Sequence, residues 1–184
     1  MKRILLCLIC IFSLLGSKAQ SYNELVEKAI FACGCFWGAQ YQFEHAKGVV
    51  RSTVGYIGGH KEHPAYEEVK AHTTGHAEAT LVEFDAEQTS FTELCKLFFE
   101  IHDPAQTDGQ GPDIGPQYRS EIFYLNDKQK EEAEAVITLL RKKGYEVNTK
   151  LTPATTFWEG EEYHQHYYDK TGGEPYCHIR IKKF

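Results

Sequence analysis

Apolar and polar positions alternate along this chain in short, well-punctuated runs. Residues 26–32 form a largely apolar stretch with β-branched and aromatic members, which predicts a buried strand. The run stops at Cys33-Gly34, after which Phe36, Ala39, Gln40 and Phe43 recur at near-helical spacing. A helix is therefore predicted over 35–46, closed by Gly48. Residues 49–57 and 77–84 read as two further strands; in the second, Glu78 and Thr80 are expected to point outward from apolar neighbours. Between them, 58–75 is rich in Gly and His and reads as a loop. Residues 90–102 form an amphipathic helix with Phe91, Leu94, Cys95, Phe98 and Phe99 on its inner face. Thr89 or Ser90 is its expected cap, with Glu93 three positions beyond Ser90. The segment 102–117 holds three prolines and three glycines and fits no regular element. Loops of that length in a compact domain are usually functional. Residues 121–125 then predict a strand, 127–143 a helix capped by Asp127 and ended by Gly144, 150–157 a strand and 161–168 a short helix. Strands and helices mix without strict βαβ repetition, so the expected class is α+β with a mainly antiparallel sheet.

The first 19 residues follow a different pattern. Met1-Lys2-Arg3 is basic, 4–15 is almost unbrokenly apolar, and Ser17 and Ala19 place small residues at −3 and −1 of a cut before Gln20. That is the pattern of a cleaved secretory signal peptide. The apolar run is too short for the ~20 residues of a spanning helix. No small residue precedes Cys7 or Cys10, which argues against a lipoprotein. The expected mature protein is thus one domain, 20–184, exported to the periplasm or secreted. No repeat, low-complexity tract or linker divides it.

Loss of 1–19 removes three cations and no acid, so the formal charge moves from −6 to −9. An acidic chain with no basic face is a poor partner for nucleic acid. With 11 Phe, 11 Tyr and 2 Trp it has ample material to pack, which excludes a disordered chain. Four cysteines remain: Cys33, Cys35, Cys95 and Cys177. In an exported protein they are compatible with two structural disulfides.

Cys35 stands out by position. A strand ending at Cys33-Gly34 and a helix starting at Cys35 put this thiol at a helix N-terminus, where free N–H groups and the dipole favour the thiolate. A thiolate is nucleophilic and oxidises to sulfenic acid. Phe36 and Trp37 place two large rings beside the sulfur, a wall for an apolar ligand group. Position alone leaves open a second reading, a small buried side chain in a strand-to-helix corner.

The stretch 34–38 reads GCFWG, and this resembles the signature of the A-type peptide methionine sulfoxide reductases. GYIGG at 55–59, Pro64-Ala65-Tyr66, TGHAE at 74–78, HDPAQ at 102–106, QYRS at 117–120 and Tyr163-His164-Gln165 follow in the family's order. The resemblance spans about 28–178, essentially the whole mature chain. It implies a ferredoxin-like α/β sandwich with long wrapping loops. It also implies an enzyme that reduces the S-epimer of methionine sulfoxide, free or in proteins, with no bound metal or flavin. Cys35 would be the nucleophile and Glu78 the proton donor. Tyr66 and Tyr118 would hold the sulfoxide oxygen, Asp113 would help bind the substrate and order its water, and Phe36 and Trp37 would enclose the methyl on sulfur. His164 would brace the site from behind.

Oxygen transfer would leave Cys35 as a sulfenic acid, cleared by condensation with a second thiol. Cys177, in Pro175-Tyr176-Cys177-His178, matches a family resolving cysteine, and no cysteine follows it. The resemblance therefore implies a two-thiol cycle, with the Cys35–Cys177 disulfide reduced by a thioredoxin-like donor, in a monomer. Cys33 departs from the family's small residue at that position and reads as filler, with a competing role as resolving thiol left open. Cys95 lies on an apolar helix face and reads as core. None of the nine histidines joins a Cys pair in a zinc pattern. Two other readings stand beside this one: a thiol peroxidase or disulfide oxidoreductase using Cys35, and a secreted binding domain with two disulfides. Met1 is the only methionine, so an exported repair enzyme would carry none of the group it repairs.

Overall fold

The computed structural model describes residues 25–184; the segment 1–19, expected to be a signal peptide, lies outside the described residues. In chain order the elements are β1 (Val26–Cys33), α1 (Phe36–Glu44), β2 (Val49–Ile57), α2 (Tyr66–Lys70), β3 (Ala77–Asp85) and α3 (Phe91–Glu100). A small hairpin, β4 (Gly109–Gln110) with β5 (Asp113–Ile114), and a 3-10 turn (Pro116–Tyr118) precede β6 (Ser120–Tyr124). α4 (Asp127–Lys142), β7 (Lys150–Pro153), β8 (Trp158–Glu159) and α5 (Tyr167–Thr171) complete the chain.

Six strands form one sheet in the order β7-β6-β1-β3-β2-β8. Its inner four, β6-β1-β3-β2, carry the ferredoxin-like order, with every pair antiparallel. Only β6 and β7 run parallel, and α4 makes the crossover that such a pair requires. The class is α+β, as the mixed pattern of short runs implies.

Side-chain alternation decides which face each strand residue serves. Ala29, Phe31 and Cys33 of β1, with Val82 and Phe84 of β3, face the layer formed by α1, α3 and α4. Phe31 stacks on Phe43, Phe98 and Phe91 at 5.0, 5.3 and 5.9 Å, so one strand ring ties two helices to the sheet. Removing a ring packed like this costs about 3–5 kcal/mol. The opposite face, built from Ile30, Ala32, Ile57, Ala77, Ala79 and Phe123, carries no helix among the described residues. Ala154 and Phe157, from the segment between β7 and β8, pack against it instead.

Several expectations need correction. Glu78 and Thr80 do not point to solvent: they share the helix-layer face with Val82 and Phe84 and are 3% and 0% exposed. The alternation was real, but both faces of this central strand are covered, so polarity does not mark the outside. The loop 58–75 contains the short helix α2. The strand expected over 150–157 forms only as β7, and β8 follows on the opposite edge of the sheet, because the Ala154–Phe157 stretch between them crosses the face that lacks a helix. The helix expected over 161–168 forms only as α5; His166, at φ 53°, breaks the path before it. Asn126, rather than Asp127, caps α4, accepting from Gln129 N at 2.9 Å. Ser90 caps α3 as expected, accepting from Glu93 N at 3.2 Å.

Candidate active site

Cys35 is the N-cap residue of α1, at the end of the strand that forms the sheet's centre. Gly34 has φ +103°, a conformation that turns the chain between strand and helix and that side-chain-bearing residues avoid. The first free N–H groups of α1 are both occupied. Phe36 N–H donates to Glu78 Oε2 at 3.2 Å, and Trp37 N–H donates to the Cys35 sulfur. The helix terminus therefore holds Cys35 and Glu78 side by side.

The resting thiol is not the thiolate that its position suggests. The Cys177 thiol in hydrogen-bond contact with Cys35 pushes its pKa well above the ordinary range, and burial adds to this. The Trp37 N–H works the other way and is outweighed. Burial, then Cys35, also raises Glu78 well above the ordinary carboxylate range, which favours its protonated form. A thiol and a carboxyl group, each shifted toward its protonated form, share this corner.

The remaining residues converge on the same place. Tyr66, the first residue of α2, feels the charges of Glu78 and Cys35, and burial leads these in pushing its hydroxyl up to about 12. Tyr118, on the 3-10 turn, is raised by burial and then by Glu78. Both keep their O–H as donors over any biological pH. Asp113 on β5 hydrogen-bonds the Cys177 thiol, and burial, set against that bond and the His178 charge, raises it. Its Oδ2 and Gln117 Oε1 are buried without a partner. Phe36 is fully buried against Tyr56 and His164, at 5.9 and 5.0 Å between rings, while Trp37 is half-buried and stacked on Tyr167 at 3.7 Å. Trp37 Nε1–H donates to His164 Nδ1 at 3.0 Å, so His164 stands behind both rings.

Cys33 is buried in the helix-side core, and no disulfide joins the four described cysteines. Cys95 lies in the same core, raised by burial. Among the described residues, one cluster could hold a metal: Glu44, His166 and Asp169, with ligand atoms within 4.8 Å. It is largely exposed and includes no residue of the Cys35 group.

A family model described as peptide methionine sulfoxide reductase matches residues 27–184. The chain belongs to that family. It is 44% identical over 156 residues to the peptide methionine sulfoxide reductase MsrA of Acinetobacter baumannii (strain AYE), covering 85% of this chain and 90% of the relative. It is 47% identical over 154 residues to the MsrA of Geobacter sulfurreducens, covering 82% and 95%. Among solved structures it is similar to reduced Mxr1 from Saccharomyces cerevisiae, with TM-score 0.80 and 32% identity over 85% of this chain and 93% of that one. Methionine sulfoxide reductase A of Corynebacterium diphtheriae gives TM-score 0.72 at 33% identity, covering 80% and 76%.

Three contributors escaped the sequence reading. Glu161 accepts from Tyr56 O–H at 2.6 Å and from Tyr66 N–H at 2.8 Å, and so seats Tyr66. Gln165 pairs with Val54 N and O at 2.9 and 2.8 Å like an extra strand residue, which fixes the approach of His164. His178 packs beside Cys177. Gln165, inside the Tyr163-His164-Gln165 motif, and His178, adjacent to a singled-out cysteine, left a signal to follow; Glu161 left none.

Proposed function

We propose that this enzyme reduces the S-epimer of methionine sulfoxide, free and in proteins, through a Cys35 sulfenic acid and a Cys35–Cys177 disulfide. The observation that carries this reading is the convergence of Cys35, Glu78 and Cys177 at the N-terminus of α1, in a chain of the methionine sulfoxide reductase family.

The proton inventory fits the reaction. Attack of the Cys35 sulfur on the sulfoxide transfers oxygen and converts thiol plus sulfoxide into sulfenic acid plus thioether. Every proton needed is present at rest: neutral Glu78 donates to the sulfoxide oxygen, and the thiol proton of Cys35 replaces the one it gave. Tyr66 and Tyr118 donate to the same oxygen, where negative charge grows. Trp37, held by His164, flanks the methyl group and Phe36 supports that wall from within. Asp113 Oδ2 and Gln117 Oε1 are acceptors for the substrate or its water.

Cys177 then closes the disulfide. A cavity of about 580 Å³, lined in part by Tyr176, Cys177, Ile179 and Ile181, lies on the tail side of Cys177 rather than over Cys35. Tyr176, Ile179 and Ile181 are exposed, giving a thioredoxin-like donor an apolar approach to the disulfide. Mxr1 has also been solved in complex with Trx2. The basic, apolar and small-residue pattern of 1–19 supports export.

Single-turnover assays with separated epimers test the reading. Wild type forms methionine from the S-epimer only, and Cys35→Ser forms none above background. Cys177→Ser releases about one equivalent and then stalls with a thioredoxin-like donor. Activity on both epimers, or activity that survives loss of Cys35, overturns the assignment.

A further inference from the structure

His178 is fully buried, in a C-terminal segment with neither helix nor strand. Its Nε2–H donates to the Cys33 carbonyl oxygen at 2.9 Å. A carbonyl can only accept, so this bond puts the ring proton on Nε2 and leaves the Nδ1 lone pair free. That lone pair faces Cys177 Sγ at 3.0 Å. The ring sits where a side chain at position 38 would be: a Cβ on Gly38 would stand 2.4 Å from Nδ1. Gln42 of α1 donates to the His178 carbonyl oxygen at 2.8 Å. Thus β1 and α1, the elements that place Cys35, also orient an imidazole toward the other thiol. A nucleophile, a base within reach and a group that orients the base form a recognisable catalytic arrangement.

We propose that His178 is the proton acceptor for Cys177 when the Cys35–Cys177 disulfide closes. The proposal rests on the reading of Cys35 as the carrier of a sulfenic acid. The S–H bond of Cys177 breaks and its proton moves to His178 Nδ1. The sulfur electron pair attacks the Cys35 sulfur, the S–S bond forms, and the Cys35 S–O bond breaks. The departing hydroxide recovers the proton from Nδ1 and leaves as water. The Cys35 sulfur is reduced by the same count by which the Cys177 sulfur is oxidised, so no outside oxidant or reductant enters.

Four residues face the imidazole: Cys33 on β1, through its carbonyl and through its thiol 3.9 Å from Nε2, Asp113 on β5, His102 after α3, and Cys177 itself. Burial lowers its pKa, but Cys33 and then Asp113 outweigh this and the net shift is upward. A protonated imidazole cannot accept, so closure accelerates as pH rises through the histidine titration.

The test mixes the reduced full chain with one equivalent of the S-sulfoxide and follows methionine formation and thiol loss separately. In His178→Asn and His178→Gln, thiol loss slows about 100-fold relative to methionine formation. Its pH profile loses the imidazole limb, and added imidazole accelerates closure in His178→Gly. Unchanged closure with an unchanged pH profile overturns the proposal. So does an equal loss in both steps, the mark of a merely structural histidine. Should the variants fail to fold, wild type decides: a closure rate with no limb in the histidine range overturns it. Failure of the underlying reading looks different, because Cys35→Ser would then still form methionine.

Discussion

Cys35 and Cys177 touch, yet their backbones are held in opposite ways. Cys35 follows β1, which is paired on both sides by antiparallel ladders with β3 and β6. Cys177 lies in a segment with no helix or strand from Gly172 onward. Downstream of it, side-chain contacts hold the tail: Arg180 Nε and Nη2 reach Glu100 Oε2 at 2.8 and 2.7 Å, and Lys183 N–H donates to Glu100 Oε1 at 3.1 Å. Lys183 Nζ donates to the carbonyls of Phe99 and His102, the second at 2.7 Å. The nucleophile thus depends on the whole sheet, while the resolving thiol depends on a few contacts that can be removed singly. Oxygen transfer and recycling are separable by mutation because two kinds of scaffold support them.

The largest effect should fall on the sheet side. Glu78→Gln removes the proposed proton donor, and the rate of methionine formation should fall about 100-fold in single turnover. In wild type that rate should decline as pH rises through the raised Glu78 titration, and the variant should lack this limb. Stability should move the other way. A carboxyl whose folded pKa is raised contributes most below its unfolded pKa and loses that contribution as pH rises. Glu78→Gln should therefore melt higher than wild type at pH 7, with the gain vanishing near pH 4. A variant no more stable at pH 7 would show that Glu78 is ionised at rest.

On the tail side, Glu100→Gln should cost ~1–2 kcal/mol, the lower end for bonds to charged groups because Arg180 is mostly exposed. Contacts with Arg180 and Lys183 outweigh burial and lower the Glu100 pKa, so its contribution is present above the ordinary carboxylate range and lost as pH falls. The melting difference from wild type should therefore shrink toward pH 3. Disulfide closure should slow while methionine formation holds. Equal slowing of both would erase the contrast between the two scaffolds.

How much of this was legible in the sequence differs between the same two regions. β1, β2, β3, β6, α3, α4 and the place of Cys35 follow from hydrophobic period and turn residues, because local sequence determines them. The resemblance pointed to nine residues, and the fold brings all nine together. What local pattern could not show was Glu78 facing the helix layer, since alternation marks two faces and not which is covered. Nor could it show that Cys35 rests protonated, because Cys177 is 142 positions away in sequence. β8 and the ties of Glu161 and Gln165 were hidden for the same reason: each is a pairing with a distant strand.

The smallest predicted effect lies between the two regions. Trp37→Phe keeps a ring beside the sulfur but loses the 3.0 Å bond to His164. One such bond is worth ~1 kcal/mol, so kcat/KM for the S-sulfoxide should fall roughly fivefold. No change would mean that ring packing alone orients the wall.

The central place of β1 also bears on how the protein wears in use. Amides of Ala29 to Ala32 lie between two partner strands and under two packed layers, so they exchange with solvent only when the whole domain opens. Those of the tail exchange through local fraying. Fraying of the tail therefore disturbs the placement of the second thiol without disturbing the first. A molecule with a loosened tail would keep its capacity for one repair while losing its capacity to repeat it.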